Sequence, residues 1–255
     1  VRYYACQSLG RLQATEAVPA LVARLDDSAE QVKLAAIEAL AGIADPAARA
    51  ALSDASRSSN RELQRAAIVG IGARKDASLR GELLSALRSA DPGVRVVALA
   101  SLASFPNAEP ELERALLEDA DPGARSTALE LLANSSNSEA TRALVRGLQG
   151  GGPRQELLTA LLREVDTRIA TLLGLLGDAD DALARSLVTV LARAETRATR
   201  AALDVAFESG NVATRRATAR AFAQIMDPAA KSSLARAVSL DADLEVRRIA
   251  SAAIA

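Results

Sequence analysis

The side chains that most often carry chemistry are scarce in this chain of 255 residues. Histidine is absent. That removes Ser–His–Asp and Cys–His nucleophile arrangements, imidazole bases and imidazole metal ligands. The one cysteine, Cys6, can form neither an internal disulfide nor a zinc site. Free cysteine is among the most buried residue types, so Cys6 reads as a small core residue in a protein of a reducing, cytoplasmic compartment. Carboxylates remain. Asp178, Asp180 and Asp181 are the densest cluster, and their spacing invites a Ca²⁺ reading. The central glycine and terminal glutamate of a calcium loop are missing, so the cluster reads as a helix cap with extra first-turn acids. Asp26–Asp27 and Glu118–Asp119 get the same reading. Gly150-Gly151-Gly152-Pro153 lacks the lysine and the preceding strand that a phosphate-cradling loop requires and is expected to be an inter-helix turn. No catalytic residue, metal or cofactor is expected, and the chain reads as a non-enzyme.

Charge points the same way. The 31 basic and 32 acidic residues leave a net charge of −1, so nothing global draws the chain to nucleic acid or an anionic membrane. No apolar run reaches the ~18 residues of a membrane helix. Locally, residues 182–236 carry nine basic residues against four acids, Asp227 among them. A nucleic-acid enzyme that handles bases also needs stacking aromatics. Aromatics are 2% of the chain, with no tryptophan, so nucleic-acid binding through these basic repeats stands as a second alternative only.

The elements that position these residues follow from an internal repeat. The segment Val1-Arg-Tyr-Tyr-Ala5-Cys-Gln-Ser-Leu9 serves as a template whose copies start near Val1, Val32, Leu63, Val94, Ala124, Pro153, Leu183, Ala213 and Val246, separated by 29 to 33 residues. Positions 1, 5, 9 and 12 of a copy are apolar, the helical period. A second amphipathic stretch lies between copies, as in Leu79–Leu87 and Leu234–Leu240. Asp91-Pro92 and Asp121-Pro122 open template helices with a capping aspartate and a proline at the first position. Asp45-Pro46 and Asp227-Pro228 do so for intervening helices. Each unit is a helix–turn–helix that cannot bury its apolar face alone, so units must stack. The fold class is all-α, an α-solenoid of about eight to nine repeats over residues 1–255, read as part of a longer protein. About seventeen helices are expected, nine of them template helices. Ala5, Ala36, Ala67, Ala98, Ala128 and Ala217 should be buried at close helix contacts, with Leu9, Leu40, Ile71, Leu102, Leu132, Leu161 and Leu191.

Glu16-Ala-Val-Pro-Ala-Leu21, Leu25-Asp26-Asp27 and the Asp-Pro-x-Val-Arg…Ala…Leu copy at Asp91–Leu102 resemble HEAT repeats, of the short bacterial kind found in phycobilin lyase subunits. The resemblance implies that the template helices line the concave face of the stack. It also implies, as one alternative function, a lyase-like or chaperone-like subunit acting on a tetrapyrrole-bearing protein. The diiron hydroxylases of the family hold metal with His–Glu pairs, which this chain cannot supply.

At ~100° per residue, positions 3 and 7 of each template helix point away from the buried side. Early copies place Tyr3, Leu34, Val69 and Val96 there, apolar side chains on a face that ought to be wet. Later copies place Arg185, Arg215 and Arg248 at position 3. These seven are the candidate partner-binding residues. The reading is a non-catalytic scaffold or regulatory module that grips a peptide, helix or acidic segment of another protein in its concave groove.

Overall fold

Helix starts follow the aspartate and proline punctuation. In the computed structural model, which describes residues 1–225 and 228–255, Asp91 accepts from the Val94 N–H at 3.2 Å and Asp121 from Ala124 at 2.9 Å. Asp45 caps the helix opened by Pro46 through the N–H groups of Ala47 and Ala48. A proline in this place gives up only an N–H that has no intrahelical partner. The cap expected at Asp227 lies outside the described residues.

Among the described residues there are seventeen α-helices and no strand. The template helices are α1 (Arg2–Arg11), α3 (Glu30–Gly42), α5 (Arg61–Arg74), α7 (Pro92–Leu102), α9 (Pro122–Ala133), α11 (Arg154–Leu162), α13 (Asp181–Ala194), α15 (Val212–Ile225) and α17 (Leu244–Ile254). Between them run α2 (Val18–Val22), α4 (Pro46–Ala55), α6 (Arg80–Ala86), α8 (Glu109–Glu118), α10 (Ser138–Gln149), α12 (Val165–Gly177), α14 (Arg197–Ser209) and α16 (Pro228–Leu240). The chain divides into two units, Val1–Leu131 and Leu132–Ala255. Within the first, α1 packs on α3, α3 on α5 and α5 on α7. Within the second, α11 packs on α13, α13 on α15 and α15 on α17, with α10, α12 and α14 stacked beside them. Each unit is therefore two layers of helices, template and intervening.

The core is aliphatic and falls where the template places it. Ala36, Ala67, Ala98 and Ala128 at position 5 are fully buried, as are Leu40, Ile71, Leu102, Leu132, Leu161 and Leu191, and Ala217 is buried as well. Truncating one of these leucines to alanine is expected to cost ~2–5 kcal/mol. Ala5 and Leu9 differ from expectation: Ala5 is exposed and Leu9 half-buried. Cys6 is buried, and that burial raises the pKa of its thiol.

Small residues bring the first template helices into close contact, at positions the apolar pattern does not mark. A Cβ added at Gly10 would lie 2.8 Å from the Ala39 Cα, one at Gly70 2.9 Å from the Ala41 Cβ, and one at Gly72 2.7 Å from the Ser101 Cβ. Position 10 of one copy thus meets position 8 of the next.

The eighth copy is shifted by one residue from the expected start at Ala213. Thr214, Thr218 and Phe222 are buried in the manner of positions 1, 5 and 9. The threonines tolerate the core because their hydroxyls donate to carbonyls, Thr214 to Leu176 at 2.7 Å and Thr218 to Thr214 at 2.9 Å. Arg215 therefore stands at position 2 and Arg216 at position 3, and Arg220 takes the exposed position 7 in place of Ala219, which is buried.

Candidate partner-binding surface

Position 2 of the template builds rungs between repeats. Arg95 donates two bonds to Asp119, at 2.8 and 2.7 Å, and a third to the Ser89 carbonyl at 2.9 Å. The Asp119 carboxylate also accepts the Asp121 N–H, and its backbone carbonyl accepts Arg125 of the next copy at 2.7 Å. The arrangement recurs with Arg215 bidentate on Asp241, whose carbonyl accepts Arg247 at 2.6 Å. Arg2 is likewise paired with Asp27. Asp27 and Asp119 are thus rung acids rather than simple caps. Where position 2 is Gln64, the residue in the rung acid's place is Ser89, and Gln64 donates instead to the Ser56 carbonyl at 3.0 Å. The Arg95 guanidinium, helped by the Asp121 N–H, holds the Asp119 carboxyl below its ordinary range. The Ala29 N–H and then Arg2 do the same for Asp27.

Position 3 carries a second set of ion pairs. Arg65 reaches Asp91 at 3.3 Å, and Arg216 is bidentate on Asp243 at 2.9 and 2.7 Å. Both acids cap the template helix of the following copy. Arg216, together with the Val246 N–H, pushes the Asp243 pKa down to about 2. Arg185 is different. The next cap is Asn211, which accepts the Thr214 N–H at 2.8 Å and donates its amide to the carbonyls of Gly177 and Ala179 at 2.9 and 3.0 Å. The cap works, but it offers no carboxylate, and Arg185 is exposed with no ion pair among the described residues.

The three arginines of the expected line therefore have three fates. Arg215 is occupied in a rung, its side chain only 18% exposed. Arg248 is 76% exposed and paired at 2.8 Å with Glu245 of its own helix. Only Arg185 is open. The apolar set is partly covered. Leu34 and Val96 are half-buried, and so is Tyr3, whose hydroxyl accepts from Gln7 at 2.9 Å, while Val69 is exposed. Position 7 is the most open row: Glu38, Val69, Ala100, Glu130, Thr159, Arg220 and Ala252 are exposed, and Gln7 and Thr189 are half-buried. The acids at 178–181 do their expected work: Asp180 caps α13 through the Leu183 N–H at 2.8 Å.

A cleft of about 830 Å³ lies in the second unit between α13 and α15, with α14 contributing a wall. Among the described residues four arginines reach it, Arg185, Arg193, Arg200 and Arg220, against one acid, Glu195. Its small side chains are Ala192, Ala217 and Ala221. The sequence places Arg185 on the groove face and counts Arg193, Arg200 and Arg220 only in the basic stretch 182–236. The displaced register hid Arg220, since it assigned position 7 to Ala219. Also missed was Arg168 of α12, only 1% exposed. It donates to the carbonyls of Ala133, Ser135 and Arg163 at 2.7, 2.9 and 3.0 Å and to the Thr141 hydroxyl at 2.8 Å. It satisfies carbonyls at the end of α9 and is structural.

A family model described as HEAT repeats matches residues 1–72 and 81–161, more than half of the chain. Among curated proteins none matches the sequence. Among solved structures, a chain of the AP-3 complex is 16% identical, covering 98% of this chain and 53% of its own, with a TM-score of 0.53. Kap121p, in a complex with Pho4p, is 14% identical, covering 93% and 33%, with a TM-score of 0.51. The CpcE–CpcF phycocyanin lyase complex of Nostoc sp. is 16% identical, covering 80% and 92%, with a TM-score of 0.40. The chain thus spans about half of the AP-3 chain and a third of Kap121p. Among the described residues no helix is long and apolar enough to cross a membrane.

Proposed function

The chain belongs to the HEAT-repeat family, and from that premise we propose that it is a non-catalytic, cytoplasmic interaction scaffold that binds a segment of a partner protein on the face formed by its template helices. The observation that carries this reading is the exposed row at position 7. Rungs and caps engage Arg2, Arg95 and Arg215 at position 2 and Arg65 and Arg216 at position 3, while position 7 is exposed in seven of the nine copies. A repeated open face on stacked helices is how solenoids present extended binding surfaces. Kap121p, of the same general fold, is seen bound to another protein. The want of histidine and the engagement of the most clustered carboxylates as caps and rungs argue against a catalytic centre.

The test is a capture experiment on the full chain from native lysate, with mass spectrometry and a nuclease control. Val69→Glu combined with Glu38→Arg should remove the captured protein, and Arg114→Glu on the exposed side of α8 should not. Capture that survives the template-face change and fails with the α8 change would overturn the reading. Capture abolished by nuclease would move the protein to the nucleic-acid class.

A further inference from the structure

We propose that the cleft between α13 and α15 binds the carboxylate side chains of an acidic protein segment, with Arg185 and Arg193 as its first contacts and Arg220 as a third. The proposal deepens the scaffold reading and rests on it. Its starting point is a mismatch in the ion-pair pattern. Arg65 and Arg216 are neutralised by the aspartate that caps the next template helix. Arg185 occupies the same position, but its successor cap is Asn211, whose amide is spent on backbone carbonyls. The fold therefore leaves one guanidinium of the series without an internal carboxylate, and it does so at the cleft.

The surroundings add to this. Arg193 is exposed beside the cleft with no ion pair among the described residues. Arg220 shares Glu245 at 3.5 Å and is 44% exposed, an exposed pair of the kind worth ~0–1 kcal/mol that an incoming carboxylate can replace. Arginine presents a planar fork of donors that matches a carboxylate in two-point geometry. The volume, about 830 Å³, is within the ~300–1,000 Å³ of ordinary ligand sites and admits several side chains of a peptide. The small side chains of Ala192, Ala217 and Ala221 leave that room. No aromatic side chain lines the cleft, so stacked bases have no platform.

The experiment titrates fluorescein-labelled hexaglutamate into the full chain and follows anisotropy, with hexalysine and a short single-stranded DNA as the other arms. Hexaglutamate should bind, hexalysine should not, and affinity should fall about tenfold from about 50 to about 300 mM NaCl as screening rises. Arg185→Gln with Arg193→Gln should weaken binding about tenfold or more. Arg11→Gln with Arg88→Gln, the same charge change at exposed sites outside the cleft, should change it less than about twofold. Equal loss in both pairs, tighter binding of the DNA at the same arginines, or no hexaglutamate binding would each overturn the proposal. Circular dichroism checks the fold of each variant. In the unaltered chain, phenylglyoxal modification mapped by mass spectrometry gives a second reading: hexaglutamate should protect Arg185 and Arg193 and leave Arg11 reactive. If template-face capture persists while hexaglutamate fails, only the cleft proposal falls. If hexaglutamate binds in the cleft but no protein is captured, the scaffold reading falls.

Discussion

In residues 1–131 the template helices meet almost backbone to backbone, whereas in residues 132–255 the seam between α13 and α15 holds a cleft. The α5–α7 and α13–α15 seams both place small residues at the meeting positions 10 and 8, Gly72 and Ser101 in one and Ala192 and Ala221 in the other. In the first they touch, as Gly72 and Ser101 do. In the second, Ala192 and Ala221 line open space. The difference tracks position 5, which is alanine in α3, α5, α7 and α9 but Leu157, Leu187 and Thr218 in α11, α13 and α15, all fully buried.

The largest effect expected from testing this contrast concerns buried arginine. Arg74 in the first unit donates from a half-buried position to the carbonyls of Leu40, Ala41 and Ile43, and Arg168 makes its bonds fully buried. Arg168→Ala strands several carbonyls away from water and should cost ~3–5 kcal/mol, against ~1–3 kcal/mol for Arg74→Ala, where water can reach. Urea denaturation measures both, and equal losses would show that the two sites are equally dry. Next in size is the contact itself. Gly72→Val drives a side chain into Ser101 and should cost ~2–3 kcal/mol. Ala192→Val grows into the cleft and should stay within ~1 kcal/mol. Similar costs would mean that the cleft closes in solution.

The smallest effect is on pH dependence. The Asp119 and Asp243 pKa values are lowered in the folded chain. Their contribution to stability is therefore complete above the ordinary carboxylate value of about 3.9 and is lost as pH falls through the folded value, for Asp243 between about 4 and about 2. Thermal midpoints measured across that range should drop less steeply for Asp119→Asn and for Asp243→Asn than for the parent chain. An unchanged acid limb for either would show that its bonds persist in the unfolded chain.

The repeat was legible because burial at positions 1, 5 and 9 demands apolar residues at fixed spacing, and Asp-Pro pairs mark where helices begin. It failed where the core accepts a hydroxyl: Thr214 and Thr218 look polar in sequence but are buried with their own acceptors. That one-residue slip carried Arg215 from a structural rung into the candidate site and left Arg220 out. The rungs had a visible signal, Arg2 answered by Asp27 and Arg95 by Asp119, which emerges once the copies are compared pairwise. Arg168 had none, because its acceptors are backbone carbonyls from distant turns, and carbonyls are the same whatever the residue.

The close approach of Gly72 to Ser101 also bears on compliance. Two helices in direct backbone contact behave like a rigid weld: they cannot move closer, and separating them forfeits dense packing. A seam with free space behaves like a spring, since its walls can shift through small rotations before any contact is lost. Strain applied to the second unit by a guest will accordingly concentrate between α13 and α15. The region that Arg185 and Arg193 make attractive to an acidic guest is then also the one most able to adjust its shape around it.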